Sequence, residues 1–169
     1  MLWRIGYELE PFEAMSQELL KTGLGKYLHN VYSFLSMTKR SMYVDQHRHP
    51  NQEGTRLAII PGVSKYLFVY PFVKTREWYL KSKEERQNMM NTHITVGHKY
   101  PSVKLNTTYS FGLDDQEFVV AFETDHPQDF LDLVQELREA SSSLFTKKDT
   151  PTFTCIRKKD VAALLEIVA

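Results

Sequence analysis

The chain has 169 residues, 42% of them hydrophobic, with lysine plus arginine and aspartate plus glutamate equal at 21 each. That length supports one large domain or two small ones around a true core, and the balanced charge excludes partners recruited by bulk field, so neither nucleic acid nor an anionic membrane surface is expected. A single cysteine, Cys155, excludes an internal disulfide, and no apolar run is long enough to cross a bilayer. The opening MLWRIGYELEPF has neither the basic start nor the apolar stretch of a secretion signal, which leads us to expect a cytoplasmic, reducing setting.

In chain order, MLWRIGYE reads as a strand, PFEAMSQELLKTG as a helix closed by Gly23, and NVYSFLSMTK as a second strand. Residues 43–62, polar with proline and glycine, read as a long connection of the kind that often carries function. KYLFVYPFV, residues 65–73, is aromatic and β-branched, a strand expected to end near Pro71. Ser82 and Glu85 stand at capping-box spacing and open a helix through HITVGH. Two strands, 103–111 and 116–124, flank GLDD as a hairpin, and a helix from Asp125 repeats Phe130, Leu133, Val134 and Leu137 at helical spacing. TFTCIRK supplies a last strand and KKDVAALLEIVA a terminal helix.

Residues 65–157 therefore run strand, helix, strand, strand, helix, strand, the ferredoxin-like order. The upstream elements make half of the same unit. The expected fold is α+β, ferredoxin-like of the dimeric α+β barrel type, with antiparallel sheets, helices on the outer faces and two related halves, the first incomplete. The halves divide as 1–63, including the connection, and 64–169.

Among candidate functional residues, His93 lies one helical turn from Met89 and one turn from Gly97, with Met90 three residues before it. A lone histidine beside apolar residues is more often a satisfied core or surface group; the functional alternative needs a cofactor that takes a single imidazole, and haem is one. His47 and His49, with Asp45, lack the further ligands a divalent ion wants and read as a solvated loop. His98 points elsewhere on the helix, and His29 and His126 sit near element ends. Tyr70, Trp78 and Tyr79 cluster around Lys74, either as packing or as an oxidisable phenol beside a fixed cation suited to an anionic ligand. No nucleophile elbow, phosphate loop or cysteine pair is present, which argues against hydrolase and nucleotide chemistry.

YPFVKTREWYL, EERQNMMNTHITVGHKYP, NTTYSFGLDDQEFVVAFET and DTPTFTC together resemble the chlorite dismutase and coproheme decarboxylase family of haem proteins. The resemblance covers nearly the whole chain and is strongest from Tyr66 to Cys155. It implies haem or Fe-coproporphyrin in the second half, a homopentamer, and a chain that begins partway into the first half. By matching motif, His93 resembles the proximal iron ligand, Tyr70 the tyrosine that becomes a radical and abstracts hydrogen from a propionate, Lys74 a cation that contacts a propionate, and Trp78 a tryptophan beside the pocket. Asn106 stands where oxygen-forming chlorite dismutases carry a distal arginine, and Ser141 where a glutamate often orients the proximal imidazole. The implied activity is peroxide-dependent decarboxylation of coproheme in haem b biosynthesis, with coproheme and hydrogen peroxide as substrates. The alternatives are a haem carrier, sensor or weak peroxidase, a cofactor-free structural subunit and, after these, a chlorite dismutase. A histidine of the loop around His47, His49 and Glu53 is a further candidate for a distal acid or base.

Overall fold

The structure, a computed structural model, describes residues 1–43 and 58–166. By compactness it forms two units, Met1–Ser33 and Phe34–Ala169. The expected halves, 1–63 and 64–169, are a division by repeat rather than by compactness.

In the first unit α1 spans Glu10–Lys21, with a proline and two glutamates in its first turn and Lys21 in its last. Those placements suit the helix dipole. The Arg4 guanidinium donates to Phe12 O at 2.8 Å and to Ser16 Oγ at 2.6 Å, tying the preceding segment to the helix. The strand expected over the first eight residues is absent. A lone extended segment has no neighbour for its alternating N–H and C=O groups, and among the described residues no ladder partner meets this one. In NVYSFLSMTK, among the described residues, only Met37 pairs as in a sheet, through a bridge to Tyr109.

The second unit is built on a five-stranded antiparallel sheet: β1 (Tyr66–Lys74), β2 (Lys104–Tyr109), β3 (Phe118–Thr124), β4 (Thr146–Lys148) and β5 (Phe153–Ile156). The order β2, β3, β1 continues to an outer edge that β5 and β4 share, β5 along Tyr66–Val69 and β4 at Val73 and Lys74. This is the ferredoxin-like arrangement the element order called for. The helices are α2 (Arg76–Leu80), α3 (Lys83–His98), α4 (Pro127–Glu139) and the short α5 (Val161–Leu165). No helix among the described residues is long and apolar enough to cross a membrane.

Strand β1 runs through Pro71 instead of ending there. Glu117 N–H donates to Phe72 O, so the backbone groups of even residues turn toward β3 and those of Pro71 turn toward the outer edge. There Pro71 falls between the stretch paired by β5 and the stretch paired by β4. Its missing N–H leaves no ladder partner unsatisfied.

Even residues of β1 face the helices. Phe68, Val120 and Phe122 pack with Val96 of α3 and Leu133 of α4, and Tyr66, Tyr70, Phe72, Phe118, Phe130 and Leu137 close around them. Helix α3 begins on the expected capping box: Glu85 N–H donates to Ser82 Oγ at 3.2 Å and Ser82 N–H to Glu85 Oε2 at 2.9 Å. Gly112, at φ +73, turns the β2–β3 connection, a conformation that suits a residue without Cβ.

Candidate functional site

Side chains four residues apart on a strand share a face, about 13 Å apart along it. Tyr70 and Lys74 stand so on β1, on the face covered by α3. Immediately after β1, α2 brings Trp78 back over the strand end, and the Lys74 ammonium lies 4.6 Å from the centre of its ring. Trp78 is 3% exposed and Lys74 8%. Lys74 Nζ donates to Ser142 O at 2.7 Å in the turn after α4. Burial lowers the amine to about 8, and the attraction of Glu117 works against that fall.

His93 stands on α3, one turn before the core residue Val96. It is half-buried, and burial, followed by the repulsion of Lys74, lowers it to about 4. At neutral pH the ring is therefore an uncharged imidazole. No hydrogen bond involves the ring among the described residues. One turn further along, a Cβ on Gly97 would meet nothing within 4 Å. Among the described residues, a ring nitrogen without a hydrogen bond and open space beside Gly97 one turn along fit a cofactor that takes one protein ligand. Among the described residues no three His, Cys, Asp or Glu gather to hold a bare metal ion.

The Tyr70 phenol is pushed up to about 12, by burial first and then by the charge of Asp149, with Arg138 partly opposing. Its proton is firmly held across the physiological range.

Tyr70 and Lys74 thus share the helix-covered face of β1, Lys74 touches Trp78 of α2, and its charge acts on His93 of α3; Tyr70 packs instead on Phe122, within reach of the charges of Asp149 and Arg138. Asn106 does not join them. It pairs opposite Ala121, which in turn pairs opposite Val69, so its side chain projects from the other face. There it is 7% exposed and its Nδ2 donates to Glu123 Oε1 at 2.9 Å. Glu123 Oε2 accepts from Gly62 N–H at 2.5 Å, so the amide serves a buried carboxylate that fastens an incoming segment. The residue of β2 in the row of Tyr70 and Val120 is Thr107, whose side of the strand is exposed.

Ser141 is exposed in the turn Ser141–Phe145, and its neighbour Ser142 supplies the carbonyl that holds Lys74. His126 precedes the first turn of α4, and Cys155 is half-buried in β5. Asp45, His47, His49 and Glu53 lie outside the described residues.

Sequence reasoning missed Glu117. Its Oε2 accepts from Lys74 N–H at 2.8 Å and from the Tyr79 hydroxyl at 2.5 Å. The sequence signal was no more than an acid at the end of the hairpin turn.

A family model described as chlorite dismutase matches residues 1–158. The coproheme decarboxylase of Mycolicibacterium smegmatis (strain ATCC 700084 / mc(2)155) is 30% identical over 155 residues, 91% of this chain and 64% of that protein. The coproheme decarboxylase of Staphylococcus carnosus (strain TM300) is 31% identical over 149 residues, 82% of this chain and 59% of that protein. The chain thus spans about three fifths of the length of these relatives. Among solved structures, chlorite dismutase from Candidatus Nitrospira defluvii in complex with imidazole superimposes with a TM-score of 0.78 at 25% identity, over 96% of this chain and 69% of that one. A haem-binding protein from Thermus thermophilus superimposes with a TM-score of 0.78 at 26% identity, over 95% and 67%. Sequence, fold and the matched span agree: the chain belongs to the chlorite dismutase family.

Proposed function

We propose that the chain binds an iron porphyrin through His93 and acts as a peroxide-dependent coproheme decarboxylase. The observation that carries this reading is the neutral His93 imidazole, which has no hydrogen bond among the described residues and feels the charge of buried Lys74, on whose strand face Tyr70 keeps its phenolic proton. The relatives named coproheme decarboxylase support the substrate. Once bound, the iron porphyrin supplies one-electron oxidation driven by peroxide.

The residues then have separate tasks. His93 offers a ring nitrogen that protons do not contest at neutral pH. Lys74 meets a propionate carboxylate with an ammonium that has two donors left after Ser142. Trp78 walls the cation on one side. Tyr70 holds its phenolic proton until a hydrogen atom is withdrawn, and then takes one from a propionate side chain. Each propionate loses carbon dioxide and becomes a vinyl group, releasing two electrons and one proton; peroxide accepts both electrons and, with two protons, becomes two waters.

Anaerobic loading with ferric coproheme followed by peroxide should yield a porphyrin lacking two carboxyl groups, read by mass spectrometry. Tyr70→Phe should bind coproheme and release little carbon dioxide, and an undiminished yield in that variant would remove Tyr70 from the reaction. Chlorite is a poor candidate substrate, because position 106 is a neutral amide engaged with Glu123 on the other sheet face. Oxygen evolution from chlorite would reverse that judgement.

A second reading, a haem carrier or sensor, is favoured by one feature. Ser141 is a short exposed side chain, and the His93 ring has no acceptor to orient it among the described residues. Tight porphyrin binding without turnover would select it. In either case we place the protein in the cytoplasm as a homo-oligomer, a pentamer by family resemblance. Exposed Val63, Leu80 and Leu144 support association between copies.

A further inference from the structure

We propose that Glu117 is the positioning residue of the site: its carboxylate locks the end of β1 to α2 and so aims the Lys74 ammonium at the place where a propionate is held. This rests on the porphyrin reading above and adds to it a residue that touches neither cofactor nor substrate.

The backbone ladder between β1 and β3 ends at Phe72 and Phe118. Beyond it, Glu117 continues the pairing in two ways. Its own N–H donates to Phe72 O at 3.2 Å, and its side chain then takes the place of a strand, with Oε2 accepting from Lys74 N–H at 2.8 Å. The same oxygen accepts from the Tyr79 hydroxyl at 2.5 Å. Tyr79 is the residue after Trp78 on α2, so one carboxylate oxygen fixes both the backbone of Lys74 and the helix that carries the indole beneath its ammonium. Hydrogen bonds to a charged acceptor are short and strong, and two on one oxygen leave little freedom to the Lys74 backbone.

The geometry also explains why a carboxylate serves here. Lys74 is buried, and its ammonium has a carbonyl and two aromatic faces, Trp78 and Phe72, as its neighbours. Among the described residues, Glu117 is an anion whose attraction acts on it. Position and charge therefore come from one side chain.

The test is a double-mutant cycle read two ways. Ferric coproheme is titrated into the apoprotein of the wild type, Glu117→Gln, Lys74→Met and the double variant, following the Soret band. Glu117→Gln keeps the shape of the side chain and removes its charge; it should weaken binding about tenfold in the wild type and leave binding unchanged when Lys74 is already Met. Tyr79→Phe, which removes one donor only, should shift binding in the same direction by less. Separately, in a Trp3→Phe background the remaining indole is Trp78, and its emission should move in Glu117→Gln whether or not Lys74→Met is present, because the carboxylate grips the backbone of residue 74 and the Tyr79 hydroxyl. Equal losses in both Lys74 backgrounds, or a Trp78 emission indifferent to Glu117, would overturn the proposal. If coproheme fails to bind the wild type while the emission cycle behaves as described, the positioning role stands and the porphyrin reading falls.

Discussion

At the scale of single residues, the site depends on burial that keeps one base neutral and one cation strained. His93 is lowered to about 4 in the folded chain, whereas the unfolded chain takes up its proton near the ordinary histidine value of about 6.5. Between those values the unfolded state binds more protons, so stability falls as pH falls from 6.5 to 4. In urea melts across that window the wild type should lose roughly 2 kcal/mol more than His93→Leu, the full shift being trimmed by the partial exposure of the ring. Lys74 works in the alkaline range. Its folded value of about 8 lies below the ordinary 10.5, so the wild type should gain stability as pH rises from 8 to 10.5. Lys74→Met should lack that gain and cost at most about 1 kcal/mol at pH 7, because a packed apolar chain replaces a desolvated charge. A residue that weakens the fold when charged and is easily replaced for stability is better understood through what it binds.

At the scale of elements, local chemistry and the β2–β3 hairpin were legible, and register was not. The Ser82 and Glu85 capping box could be read from spacing because all its partners lie within one turn, and the structure forms both of its hydrogen bonds. Ser82→Ala should lower stability by about 1 kcal/mol, measured by chemical denaturation, and should do so without changing the absorption of a bound porphyrin. Asn106 shows the opposite case. Alternation along VKLNTTYSF says that residues 105 and 107 share one face and 106 and 108 the other, but not which face meets the helices. That choice is made by the register of β2 on β3 and β3 on β1, and a shift of one residue inverts it. Glu117 escaped notice for a related reason: its value lies in two partners, Lys74 and Tyr79, that the fold brings to it from 43 and 38 residues away.

At the scale of the whole molecule, the order of elements from Tyr66 to Ile156 was enough for the ferredoxin-like sheet, since each strand and helix there carries its own period. The upstream strands were not realised, because MLWRIGYE and most of NVYSFLSMTK depend on neighbours that an amphipathic pattern cannot supply. Large apolar side chains stay exposed in both units, Tyr7 and Tyr27 in the first and Val63 and Leu144 in the second. Light scattering on the purified protein should therefore report an oligomer, and a monomer at micromolar concentration would count against association of copies.

The most direct test of the central claim is the ferric coproheme titration repeated with His93→Ala, followed at the Soret band. The expected result is a saturating Soret shift in the wild type and a loss of affinity of about a hundredfold or more in the variant, with an altered band wherever binding persists. An unchanged band and unchanged affinity in His93→Ala would contradict the assignment of this imidazole to the iron.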